Sequence, residues 1–244
     1  PVASAGDIFF DFEGDPLWQE PGSGIWGLEY LFGMVEVDSG TPQFMAFWAH
    51  DRRQEKQALI DFVDHVFARL ERWPDLHVYH YAPYEPAALL RMAARHGVYE
   101  DEVDQLLRRR VFVDLYAVVK AGVRVSQRSY SIKKLEPLYM PPREGEVQGG
   151  AESIVVYHQF TAATIEGRVD QATSLLSEIA DYNELDCIST LLLRNWLVDR
   201  CVEHGGAPAG PAEVGPVEEF VVSDKRQAAL DLEAAVRSLV EETP

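Results

Sequence analysis

The run Ile8-Phe9-Phe10-Asp11-Phe12-Glu13-Gly14-Asp15 constrains this chain more than any other stretch. Its apolar start reads as a buried strand, and its end carries two carboxylates two residues apart. In a strand, residues i and i+2 point to the same face. Asp11 and Glu13 therefore converge on one point. Two like charges held together need compensation, and a divalent cation is the most economical source of it. Taken alone, the pair is better read as an edge strand whose polar face is acidic, and it gains weight only with what lies downstream.

A second acidic pattern lies far downstream, in Asp181-Tyr182-Asn183-Glu184-Leu185-Asp186-Cys187. It falls inside a long helical pattern from about Asp170 to Val202. Leu175, Leu176, Ile179, Tyr182, Leu185, Asp186, Ser189 and Leu193 recur near one face at helical spacing. Tyr182 and Asp186 stand at i and i+4, so their side chains are neighbours. A carboxylate beside a core-facing stripe is costly unless paired or bound to a cation. The plainer alternatives are a rim position for Asp186 and an ordinary core aromatic for Tyr182.

A third pattern is Leu76-His77-Val78-Tyr79-His80-Tyr81-Ala82-Pro83-Tyr84-Glu85-Pro86. A short strand, His77 to Tyr81, leads through a turn into a helix, with Pro86 suited to the first helical position. Glu85 then stands near the helix N-terminus, where the dipole favours a carboxylate. Its other reading is a further acidic ligand aimed at the point marked by Asp11 and Glu13. Asp114, after the apolar run Val111-Phe112-Val113, competes for that role, and otherwise reads as the N-cap of a helix over Leu115 to Lys120.

The order of these motifs resembles the DEDD exonucleases of the RNase H-like superfamily, in their Tyr-containing DEDDy form. The wording is closer still to the predicted RecB-family or YprB-like RNase H domain. The residues that carry this resemblance are Phe9 to Pro16, Tyr79 to Glu85, Ser129-Tyr130-Ser131-Ile132-Lys133-Lys134-Leu135-Glu136 and Tyr182 to Cys187, within roughly residues 6 to 203. The resemblance implies an α/β fold, a mixed five-stranded sheet with flanking helices. It also implies a 3′–5′ exonuclease and, in the parent protein, a superfamily 1 helicase as neighbour. One departure stands out: DEDD enzymes carry Asp where this chain has Glu85. Glutamate has the same charge and a longer reach, so Glu85 is favoured over Asp114 as the second-motif ligand.

Asp11, Glu13, Glu85 and Asp186 are then the expected metal ligands. An all-carboxylate set with no clustered Cys or His selects Mg²⁺ or Mn²⁺ over zinc. Two such ions, about 3.5–4 Å apart, stabilise the attacking and leaving oxygens of an in-line displacement. Tyr182 would orient the attacking water, since a free tyrosine, with a pKa of about 10, is a poor general base at neutral pH. Lys133 and Ser131 are the expected substrate contacts, with Lys133 on a phosphate.

The 244 residues carry a net charge of −18, which opposes tight duplex binding and favours a single-stranded 3′ end, which needs fewer phosphate contacts. The same charge, with Glu85 in place of Asp, keeps open a second class of function: a non-catalytic or weakly active helicase-associated module. Basic residues gather at Arg108-Arg109-Arg110 and at Arg124, Arg128, Lys133 and Lys134. No apolar run is long enough to span a bilayer. Two cysteines, Cys187 and Cys201, make no disulfide framework, so a reducing, cytoplasmic setting is expected. The first residue is Pro1, which is expected of a piece of a longer protein.

Along the chain, Asp7 to Phe12, Gly27 to Val37, Gln43 to Ala49 and His77 to Tyr81 read as strands, with Asp38-Ser39-Gly40 as a turn. Asp51 to Arg72 and Pro86 to His96 read as helices, the latter ending at Gly97. Pro141 to Gly150 reads as a Pro- and Gly-rich loop. The expected organisation is an RNase H-like domain over 1–204, a linker over 205–222 and a C-terminal helix over 223–244.

Overall fold

The computed structural model describes residues 1–208 apart from 21, 23, 39 and 144–148. The expected C-terminal helix and most of the linker lie outside the described residues. Five strands form one mixed sheet. They are β1 (Ile8–Gln19), β2 (Trp26–Asp38), β3 (Thr41–Trp48), β4 (Val78–His80) and β5 (Phe112–Asp114), in the order β3-β2-β1-β4-β5. β1 runs antiparallel to β2 and parallel to β4, and β5 is parallel to β4. The helices are α1 (Arg52–Arg72), α2 (Tyr84–His96), α3 (Glu100–Arg108), α4 (Leu115–Gly122), α5 (Ile132–Leu135), α6 (Gly150–Ile165) and α7 (Val169–Glu203). None of the described helices is long and apolar enough to cross a membrane. The α/β class and the five-stranded mixed sheet expected from the sequence are what the chain forms.

β1 is the centre of the sheet, and its alternation sorts the two faces. Ile8, Phe10 and Phe12 pack with Leu59, Phe62, Val63 and Val66 of α1. Phe9 points the other way, against Tyr79, Leu191 and Leu193. Asp11 and Glu13 follow Phe9 at the same parity, so they face α7 rather than α1. A third cluster joins Leu28 and Tyr30 of β2 to Tyr157 and Phe160 of α6 and Ile179 of α7. Burying a large apolar side chain contributes about 1.5–3 kcal/mol, so the strand that carries the acids is also among the most firmly held.

Several boundaries differ from expectation for local reasons. β1 continues to Gln19 instead of stopping near Phe12, because β2 keeps pairing with it past a register shift at Glu13/Gly14. α1 begins at Arg52, with the Asp51 carboxylate accepting the Gln54 amide at 2.7 Å. α2 begins at Tyr84, two residues before Pro86, which puts Glu85 inside the first turn. Gly97 closes α2 in the left-handed conformation, φ 58°, as glycine does without strain. α3 and α6 were not expected. α3 opens with Glu100-Asp101-Glu102, a charge run that suits a helix N-terminus and buries Val103 and Leu106 behind it. α6 begins on two glycines and contains Ile154-Val155-Val156, so propensity argues against it, yet Ser153, Tyr157, Phe160 and Ala163 pack inward.

Candidate metal centre

Asp11 and Glu13 on β1 meet Asp186 on α7, with one carboxylate oxygen from each within 4.8 Å of the others. Asn183, one turn before Asp186, donates its amide to Asp11 Oδ2 at 3.2 Å. Such close approach of helix to sheet depends on Gly33, the β2 partner of Asp11. A Cβ at position 33 would stand 1.5 Å from Asn183 Oδ1, far inside contact distance. The sulfur of Cys187 lies 3.4 Å from the Gly33 carbonyl, so that thiol is a buried packing group.

Glu85 comes in from the first turn of α2. Its carboxyl hydrogen-bonds Asp11, and His80 Nδ1 donates to its Oε2 at 3.1 Å while also reaching the Ala82 carbonyl at 2.7 Å. Glu85 and His80 are both nearly inaccessible to solvent. Asp114 is employed elsewhere: it caps α4 through the Tyr116 amide at 2.8 Å and accepts the Ala82 amide at 2.9 Å.

Burial dominates the electrostatics of the site, and the charges of the acids on one another add to it. Burial pushes the Asp11 carboxyl well above the usual carboxylate range, and the charges of Asp186, Glu13 and Glu85 add to the rise. Glu13 is pushed up to about 8, first by burial and then by Asp186, against hydrogen bonds from Ser153 and Asn183. Glu85 is raised by burial despite His80. Oxygen donors only, gathered and under-compensated, fit a hard divalent cation.

Tyr182 is buried beside Asp186. Its hydroxyl hydrogen-bonds the Asp186 carboxylate and accepts from Lys133 Nζ at 2.6 Å. Burial and then Asp186 drive its pKa far above the ordinary phenol value, so it stays a neutral phenol. Lys133 sits 4.5 Å above the Tyr182 ring, and Ser131 stands exposed at the start of α5. Of the other basic residues, Arg108 pairs with Asp104 on the far side of α3's last turn.

Four participants were not singled out in the sequence: Asn183, His80, Glu136 and Arg143. Asn183 was legible in principle, since i to i+3 places it beside Asp186. His80 alternates with Tyr79 on a buried strand, and its partner five residues on gave a weaker signal. Glu136 closes the Ser129–Glu136 stretch, but nothing local shows that Arg143 binds it.

A family model described as RNase_H superfamily matches residues 8–198, which include the whole sheet and the four gathered carboxylates. No curated protein matches the chain significantly. On its fold and on that match over most of its length, the chain belongs to the RNase H superfamily.

Proposed function

We propose that the chain is a metal-dependent nuclease that hydrolyses phosphodiester bonds of nucleic acid, acting as a 3′–5′ exonuclease on single-stranded ends. The observation that carries this reading is the gathering of Asp11, Glu13 and Asp186 at one point, with Glu85 hydrogen-bonded to Asp11 and with burial holding the Asp11, Glu13 and Glu85 carboxyls above the usual carboxylate pKa range. These four would hold two Mg²⁺ or Mn²⁺ ions. Bound there, the ions supply charge at the attacking and leaving oxygens of an in-line displacement.

The chain's own groups do the rest. Asn183 orients Asp11, and His80 orients Glu85. Tyr182, neutral and fixed between Lys133 and Asp186, positions the attacking water by hydrogen bonding and takes no proton from it. Lys133, beside that hydroxyl, binds a phosphate of the strand. Ser131 adds a hydroxyl contact near the same end.

Purified protein with Mn²⁺ should shorten a labelled single strand from its 3′ end, and EDTA should stop it. Degradation of a 3′-blocked strand alone reverses the polarity, and cutting of a circular strand shows endonuclease action. The net charge of −18 favours a second reading, a helicase-associated module without activity. That reading replaces the first if no strand is cut and Asp11→Asn changes nothing measurable.

A further inference from the structure

Arg143 enters the edge of the acidic centre from the segment before α6. Its Nε donates to Glu136 Oε2 at 2.9 Å, and its Nη2 donates to Glu136 Oε1, which makes a two-point fork. The same Nη2 lies 2.5 Å from Asp186 Oδ1. Glu136 is in turn bound by the Ser189 hydroxyl at 3.0 Å. Ser189 is three residues after Asp186 on α7, so the contacts close a ring: Asp186, Arg143, Glu136, Ser189 and back to one turn of helix. The Arg143 and Glu136 side chains are each only 9% exposed.

Burying a guanidinium and a carboxylate costs several kcal/mol per ion before their attraction is counted. A hydrophobic pair would hold the chain as well, so the ion pair calls for another reason. Charge neutralisation of the centre is not that reason. Arg143 brings one positive charge and Glu136 one negative, so together they add none. What the pair does add is direction: the fork fixes Arg143 on Glu136, and so holds its Nη2 at a set place against Oδ1 of Asp186, which favours one orientation of that carboxylate.

We infer that Glu136 and Arg143 are a positioning pair that aims Asp186 at the metal, an assignment that rests on the nuclease reading above. Partners of this kind typically change metal affinity or activity 10–100-fold. The opposing idea is that Arg143 merely stands in for an absent cation.

Mn²⁺ calorimetry on the full chain separates the two. Positioning requires that Arg143→Gln and Glu136→Gln both weaken Mn²⁺ binding, by about 10–100-fold. Charge alone would make them move in opposite directions, with Arg143→Gln tighter. Arg143→Lys should fail to restore affinity, because an ammonium lacks the planar second donor that Nε supplies to Glu136 and so leaves the group free to swing. The double variant Glu136→Gln/Arg143→Gln removes both members of the buried pair at once, so it tests the idea even if a single variant unfolds; it should bind no worse than either single change. Arg143→Gln or the double variant binding Mn²⁺ as tightly as the unaltered chain, or Arg143→Lys matching it, overturns the assignment. If Asp186→Asn leaves Mn²⁺ binding intact, the metal reading itself fails and takes this assignment with it.

Discussion

Glu55 and Glu13 are both buried carboxylates, at 0% and 5% exposure, yet their acidities move in opposite directions. Burial pushes both up. At Glu55 it is outweighed by a hydrogen bond from His96 at 2.7 Å, the Glu29 amide at 3.0 Å, and Arg95 and Arg52, each at 3.0 Å. Its pKa ends below the usual carboxylate range. At Glu13 burial and the charge of Asp186 outweigh the Ser153 and Asn183 hydrogen bonds and the smaller pull of Lys133, and its pKa rises to about 8. The Glu55 cluster carries its own cations, so it is complete as folded. The Asp11–Glu13–Glu85–Asp186 cluster gains most from a cation brought in from outside. Acid content alone would not have told them apart; the supply of Arg and His on the packed helices does.

The sharpest way to break this contrast is to remove one acid from each region. Asp11→Asn or Asp186→Asn should abolish Mn²⁺ binding and slow cleavage about a thousandfold, as the loss of several kcal/mol of charge stabilisation implies. The same Asp11→Asn should raise the melting temperature of the metal-free protein, because it removes a mutually repelled charge. If it melts lower, the first cluster is not electrostatically strained. Glu55→Gln should do the reverse. It leaves Arg52, Arg95 and His96 facing an uncharged amide, and should cost about 3–5 kcal/mol in urea unfolding without changing Mn²⁺ affinity.

Within the first region, Tyr182→Phe sharpens the division between ligand and orienter. Cleavage should slow by about 10–100-fold while calorimetry returns a nearly unchanged Mn²⁺ affinity. Equal loss of metal binding would make Tyr182 part of the ligand set. The smallest expected effect is in pH. A carboxyl whose pKa is raised by folding is easier to fold protonated, so Glu13 costs stability as pH climbs from the usual carboxylate value through about 8. Glu55, shifted down, contributes stability above the usual value and loses it as pH falls through its own. Added Mn²⁺ should therefore raise the melting temperature by several degrees near about pH 8 and by little near about pH 5, at roughly 2–4 °C per kcal/mol.

Much of this was legible in the sequence where a period was unbroken. The alternation of Phe9 to Glu13 fixed which residues share a face, and the recurrence from Leu175 to Leu193 located α7 to within a residue or so at each end. Carboxylate oxygens of Asp11, Glu13 and Asp186 come within 4.8 Å of one another, and Glu85 hydrogen-bonds Asp11 at their edge. The end of β1 was not legible, since pairing with β2 overrides the Gly14 break. α6 was hidden by β-branched residues whose burial only tertiary packing reveals. Arg143 was hidden for another reason: a loop arginine finds its partner through the path of the backbone, which leaves no periodic trace.

Gly33 carries a consequence for how such a site tolerates change. With no side chain between strand and helix, Asn183 rests on bare peptide, and the spacing of α7 from β2, and through it from the neighbouring β1, is set there by backbone thickness rather than by side-chain volume. Repacking of the aromatic layer under α1, on the opposite face of the sheet, can therefore drift over generations without altering the gap between Asp11 and Asp186. The geometry of the centre is insulated from the interior that supports it, and the chain's tolerance to mutation should narrow to a small zone around positions 33, 183 and 187.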